Sequence, residues 1–522
     1  MASWHVPRFF RGLSRRDFIS TGMKGMAIVS VPMFFGRDPL AALTAAPAGT
    51  TPADLFARFG IDESILRQVM VAALERGGDF CDLYFQHTIS SYIGLEDKIV
   101  NQAYTSVDLG VGIRVVKGDQ TGFSFTEDLS VPAMRDAART AAAIAEGPAG
   151  KAPTSFTHQK LPNHYVINTG WENVSADRKV PFLQKLNDLI FAGDKRIIKA
   201  SAALMDDTSF VLLASSDGLI TYDYQPMAQL RASCSAEQDG RRENSYADLC
   251  GREGIEFFTA ERVKTIAADA VRRTVSLFDA TKPEGGEMEV VLEAGSSGIL
   301  LHEAIGHGME ADFNRKGISI FADKIGKPVA EKFVTIVDDG TNPNVRGSLN
   351  VDDEGNGTQR TYLVQDGVLA SYMHDRISAS HYKVQPTGNG RRESFRFAPM
   401  PRMRNTYMLP GPHKRDEIIA SVKKGILAEM FTNGQVFIGA GDFTFYVKSG
   451  YLIENGKLTR PVKDINIIGN GPEVLRKVVM VADDFKMADG GWTCGKDGQG
   501  VPVSMGLPTV KVSSITVGGV QS

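Results

Sequence analysis

Leu301-His302-Glu303-Ala304-Ile305-Gly306-His307-Gly308 sets two imidazoles and a carboxylate close together in an apolar run that begins at Ile299. Neutral imidazole is a common zinc ligand, and a neighbouring glutamate can act as a base toward water beside the ion. The histidines lie five positions apart, not four as in the familiar metalloprotease helix. At about 100° per residue, positions five apart differ by roughly 140° on a straight helix. One ion can take both only if the helix widens into a π-turn or ends near Gly306. Gly306 and Gly308 ease such a deformation. The third ligand stays open at this level. Glu310, three positions past His307, suits a continuing helix. Cys494, set between glycines and Lys496, can supply a thiolate if an ion is near.

The chain that must position these groups has 522 residues, too long for one ordinary core. It predicts a leader at 1–48, an N-terminal α/β domain at 49–283 and a C-terminal β-rich domain at 284–522. A charged fraction of 23% beside 43% hydrophobic residues describes a globular chain, and a net charge of −3 gives no nucleic-acid footprint. Four cysteines without C-x-x-C spacing exclude a disulfide framework; Cys234 and Cys250 could pair, but unpaired thiols are expected. In the leader, Ser14-Arg15-Arg16-Asp17-Phe18 precedes an apolar stretch and Ala46-Pro47-Ala48. It resembles a twin-arginine export signal and predicts a periplasmic protein, cytoplasmic if the leader is silent. The leader's apolar run is broken by Lys24 and Arg37, so no stable membrane anchor is expected.

The N-terminal domain alternates helical patterns (one opening at 51–54, one from near 62 to a stop at 77–78, then 133–145, 180–192 and 260–278) with strand patterns (81–84, 91–95, 107–116, 121–126, 197–206, 209–215 and 219–236). His87, His158 and His164 stand alone there, and the domain reads as scaffold, dimer contact or substrate wall. From 284 on, turns at regular intervals predict a large, mostly antiparallel sandwich or barrel. Helices are expected at 414–426 and 472–478, and Ser296 or Ser297 can cap the histidine helix. The whole is α+β. Two polar, glycine-rich stretches, near 388–405 and 490–499, bring charged groups where backbone can approach a ligand. Arg391, Arg392, Arg402 and Lys496 are the candidates there for holding substrate or a developing oxyanion.

With these motifs in order, the chain resembles the TldD/PmbA family of metallopeptidases. The resemblance rests on His302-Glu303-x-x-x-His307 continued to Phe313, on Gly388 to Tyr407, and on Cys494-Gly495-Lys496-Asp497-Gly498-Gln499. It implies that His302, His307 and Cys494 ligate zinc and that Glu303 is the general acid/base. It further implies dimers enclosing a cleft, either homodimers or heterodimers with a TldE/PmbA-like subunit, and peptide or unfolded polypeptide bound by strand-like pairing. This chain carries the metal motif of the TldD-type subunit. A non-catalytic peptide-binding subunit with a structural zinc is the alternative.

Overall fold

Period-two alternation over unusually long runs governs the first region of the computed structural model, which describes residues 51–518. The leader lies outside them. Helices Pro52–Phe59 and Glu63–Leu74 start where Thr51 and Asp62 accept the backbone N–H groups of Asp54 and Ile65. Six long strands follow: β1 (Phe80–Glu96), β2 (Ile99–Lys117), β3 (Gln120–Thr126), β4 (Ile197–Ser215), β5 (Leu219–Gln238) and β6 (Arg241–Gly251). They pair antiparallel in the order β3-β2-β1-β4-β5-β6, and the short segment Thr157–His158 runs parallel to the start of β5.

The sequence predicts breaks within β1 and β4 that do not occur. Polar side chains in the supposed gaps bond across the strands instead: Gln86 Nε2 donates to Ser209 Oγ at 3.2 Å, and Thr88 lies 2.9 Å from the same hydroxyl. The sequence does not predict β6, because Arg241-Arg242-Glu243-Asn244 has no apolar alternation; among the described residues it is an edge strand whose sheet partner is β5, with one further backbone bond from the Cys250 N–H to the Asp489 carbonyl at 2.8 Å. One face of the sheet buries Leu83, Phe85, Leu204 and Leu230 beneath helices Glu63–Leu74, Val131–Ala142, Ala176–Gly193 and Ala260–Val275. The other face packs Tyr84, Val211 and Leu213 around Phe395.

The second region supplies β7 (Gly286–Leu292), β8 (Lys424–Phe437), β9 (Asp442–Glu454), β10 (Lys457–Asn470), β11 (Trp492–Lys496), β12 (Gln499–Leu507) and β13 (Val510–Gly518). The order is β10-β9-β8-β7-β13, and β10 also pairs β13 through Asn466–Gly518 and Ile468–Thr516, so this sheet closes on itself as a barrel. A second sheet pairs β12 parallel to Asn405–Met408, with β11 on its outer side. The helix expected over 414–426 stops at Ala420. Ile426, Leu427 and Ala428 pair instead with Val290, Val291 and Leu292 of β7, so tertiary pairing overrides local pattern.

The fold is therefore α+β, with both sheet layers and the histidine segment sharing buried apolar contacts. No helix among the described residues is long and apolar enough to cross a membrane. All four cysteines are free, and Cys234 Sγ sits 3.2 Å from Thr274 Oγ1.

A candidate metal centre

A left-handed turn at Gly295, with φ of 101°, redirects β7 into the histidine segment; only glycine adopts that conformation readily. Ser296 and Ser297 do not cap it. Their hydroxyls donate to the carbonyls of Glu429 and Ala428, tying the turn to β8. Ile299, Leu300, Leu301 and Ile305 then drive the segment into the core.

The segment widens as the histidine spacing requires. After one α-turn, residues His302–Gly306 form a π-turn in which the N–H of His307 bonds the carbonyl of His302. The two rings come to 5.0 Å between centroids, at 82° to one another. Gly306 serves space and not flexibility, for its φ of −58° suits any residue. A Cβ there would meet Met403 Sδ at 2.0 Å, and one on Gly308 would meet Phe321 at 2.7 Å.

Cys494 arrives on β11, whose alternation buries Cys494 and Lys496 on one face. Donor atoms of His302, His307 and Cys494 all lie within 4.8 Å of one another, and each residue is buried. Among the described residues this is the one cluster of histidine, cysteine or acidic side chains so arranged. Cys494 Sγ is 3.5 Å from His307 Nε2. Burial alone would raise its thiol, but the two imidazoles hold it well below the ordinary range. His302 Nδ1 is buried without a partner. Glu303 reaches to 4.0 Å from His307 Nε2, beyond hydrogen-bonding range, and a Cβ on Gly434 of β8 would lie 3.4 Å from its Cγ.

Glu310 belongs to the far side of His307. Its Oε2 lies 3.0 Å from Nδ1, so it orients the ring that faces Cys494 and is not one of the converging donors. Burial would raise Glu310, but Lys496 and His307 overcome it and hold the carboxyl at about 2. Lys496 has its ammonium between Glu310 at 3.1 Å, Asp312 at 2.8 Å and the Pro401 carbonyl at 3.1 Å. Replacing Glu310 with Gln keeps a hydrogen-bonding side chain and removes the charge. Metal affinity is expected to fall by about 10- to 100-fold, read by competition with a chromophoric chelator. Unchanged affinity would show that the carboxylate does nothing through His307.

The remaining candidates separate. Arg402 Nη2 donates to the Cys494 carbonyl at 2.6 Å, while its Nε and Nη1 are buried and partnerless. Arg391 bonds the carbonyls of Met403 and Pro502; burial lowers it to about 10 against the opposing field of Asp353. Arg392 is turned away, toward Asp82 at 3.2 Å and over the Tyr84 ring, where it joins the second region to the first sheet. Asp82 also takes Arg114, which reaches Glu354 at 2.6 Å.

A cleft of about 600 Å³ runs between β6 of the first sheet, β8, and the segment 486–493. It ends at Thr493, next to Cys494. Beyond Ala428 the side of β8 that pairs β7 carries no strand, and β11 is paired on one edge alone among the described residues. Sequence reasoning missed Met403, Gly434 and the cleft residues of β6; none has a chemical signature outside its packing.

Family models described as PmbA/TldA metallopeptidase domain 1, central domain and C-terminal domain match residues 81–145, 170–278 and 285–519. A metalloprotease TldD homolog of Haemophilus influenzae is 42% identical over 85% of this chain and 94% of its own length. A zinc metalloprotease TldD homolog of Saccharolobus solfataricus is 28% identical over 86% and 98%. Among solved structures, TldE from Thermococcus kodakarensis matches with a TM-score of 0.69 and 17% identity, over 88% of this chain and 99% of its own. A Thermotoga maritima structure gives 0.71 and 22%, over 87% and 100%.

Proposed function

Because this chain belongs to the TldD/PmbA metallopeptidase family, we propose that it is a zinc-dependent peptidase acting on peptides or unfolded polypeptides with little sequence selectivity. The observation that carries this reading is the meeting of His302, His307 and Cys494 within 4.8 Å, with Glu303 beside them. Two imidazoles and a thiolate form a three-donor set of the kind that would hold a catalytic zinc. The partnerless buried nitrogen of His302 is what such a set leaves without its ion. A zinc ion there supplies a Lewis acid for the peptide carbonyl and brings the pKa of water toward ~7.

Glu303 takes the proton of the attacking water and returns it to the leaving amine. Glu310 keeps Nδ1 of His307 engaged, so that Nε2 faces the centre. Arg402 fixes Cys494 through its carbonyl. Substrate lies extended in the cleft and pairs through its main chain with the open edges of β8 and β11, which reads shape before sequence. Purified protein is expected to cleave a reduced, unfolded polypeptide, to stop on chelation and to recover with zinc. Cleavage indifferent to chelation sinks the reading.

The chain acts as the metal-bearing, TldD-type subunit, alone as a homodimer or with a TldE/PmbA-like partner; a TldE structure of the same fold supports that pairing. The Arg15-Arg16 leader exports it to the periplasm. Cell fractionation after Arg15→Lys and Arg16→Lys tests this, and unaltered location would refute it.

A further inference from the structure

The cleft that ends at Thr493 is lined by five carboxylates and three arginines, and the carboxylates are mostly engaged elsewhere. Glu293 is held by Arg415 at 2.9 and 2.8 Å, Glu429 and Asp269 by Arg272 at 3.1 and 3.4 Å, and Asp248 by Gln229 Nε2 and the N–H of Gly491 at 2.6 and 3.1 Å. Asp489, on the 486–493 segment, has no side-chain hydrogen bond to a described residue. Arg231 has no carboxylate partner among the described residues, although Asp248 is its cross-strand neighbour. It is half-buried, and its guanidinium lies 3.9 Å over the ring of Tyr246. Arg273 approaches the same residue, donating from Nη1 to the Tyr246 carbonyl at 3.2 Å while its buried Nε has no partner. Burial and the Asp248 carboxylate push the Tyr246 phenol up, and Arg231 and Arg273 oppose them.

The path from here to the metal centre is short. Gln229 and Arg231 share one face of β5 at a separation of about 6.8 Å. A Cβ on Gly491 would touch Gln229 at 2.4 Å, and Gly491 precedes Cys494 by only three residues, about 10 Å of extended chain. Crossing the Gln229 side chain to Gly491 adds roughly 8 Å, so the whole path is at most about 25 Å, or roughly seven residues of extended peptide.

We propose that Arg231, with Tyr246 and Arg273, is a carboxylate-binding subsite that anchors a peptide within roughly seven residues of the bond being cut. This rests on the peptidase reading above and names what the cleft selects. The chemistry recognised is a carboxylate, supplied either by the substrate's C-terminus or by an Asp or Glu side chain. A planar fork stacked on an aromatic ring is pre-set for carboxylate and retains little freedom to lose on binding. A C-terminal anchor would make the enzyme one that trims from that end; a side-chain anchor would make it prefer acidic peptides.

The test uses the full chain loaded with zinc and carrying Glu303→Gln, so that bound peptide is not consumed. Fluorescence anisotropy compares three labelled peptides: a free acid, its C-terminal amide, and an amide with one internal Glu. The free acid is expected to bind about 10- to 100-fold more tightly than the plain amide, and Arg231→Gln to remove that difference while leaving amide binding alone. Tight binding of the internal-Glu peptide assigns the anchor to acidic side chains, whereas loss confined to the free acid assigns it to the C-terminus. Arg231→Lys keeps the charge without the fork and is expected to lie between; it supplies the measurement if the Gln variant folds poorly. Equal binding of all three peptides, or equal weakening of all three by Arg231→Gln, overturns the subsite. Failure of the Glu303-bearing enzyme to cleave any of them overturns the peptidase reading instead.

Discussion

Glu303→Gln is expected to keep its metal and lose peptide hydrolysis by about 10²- to 10⁴-fold, the range for a positioned proton-transfer group. The side chain is not one of the three converging donors, and its Oε2 stands 4.0 Å from His307 Nε2 with no hydrogen bond to tie it there. Gln occupies the same space against Gly434 and cannot accept a proton at neutral pH. Steady-state cleavage of an unfolded polypeptide, with metal content measured on the same preparation, gives the result. Normal cleavage by this variant would remove Glu303 from the reaction. Loss of metal together with activity would instead make Glu303 part of the ligand set.

Cys494→Ala has the second large effect. The mutation removes one of three donors and leaves two imidazoles beside the buried guanidiniums of Arg391 and Arg402, whose fields the thiolate helps balance. Zinc is expected to fall from about one per chain to a small fraction of that, and activity with it. The fold should survive, because Cys494 is one small side chain at the edge of a large apolar cluster; thermal unfolding checks this. Cys494→Ser keeps the shape with a poorer ligand and is expected to bind zinc weakly. With cobalt in place of zinc, thiolate-to-metal charge-transfer absorption should be present in the native protein and absent from both variants. Unchanged zinc content in Cys494→Ala would strike Cys494 from the centre and return attention to Glu310.

How much of this was readable beforehand depends on the range of the interaction. The five-residue spacing of His302 and His307 demands a deformed helix by geometry alone, and a π-turn stands there. The reason for glycine at 306 was not readable, since the obstacle is Met403, almost a hundred residues onward. Glu310 could be placed near His307 from its spacing, but nothing local says which ring nitrogen it meets. Arg392 shares its motif with Arg391, yet its partner is Asp82 in the first sheet, and a contact across 310 positions leaves no trace in either neighbourhood. Strand β6 escaped notice because an edge strand with polar side chains lacks the alternation that marks a half-buried one. The 414–426 helix was overestimated for the opposite reason: its second half has helical pattern but is recruited by β7.

The closed barrel sets an order of events. β13, which pairs both β7 and β10, is the last strand of the described chain, and Cys494 comes to His307 across 187 positions. During synthesis the histidine segment emerges long before the strand that brings the thiolate, and the ring it packs against cannot shut before β13 has emerged. A ribosome-bound chain therefore carries two imidazoles and a carboxylate but no finished centre. The three donors meet only once β11 has emerged, and the ring around them closes only with β13.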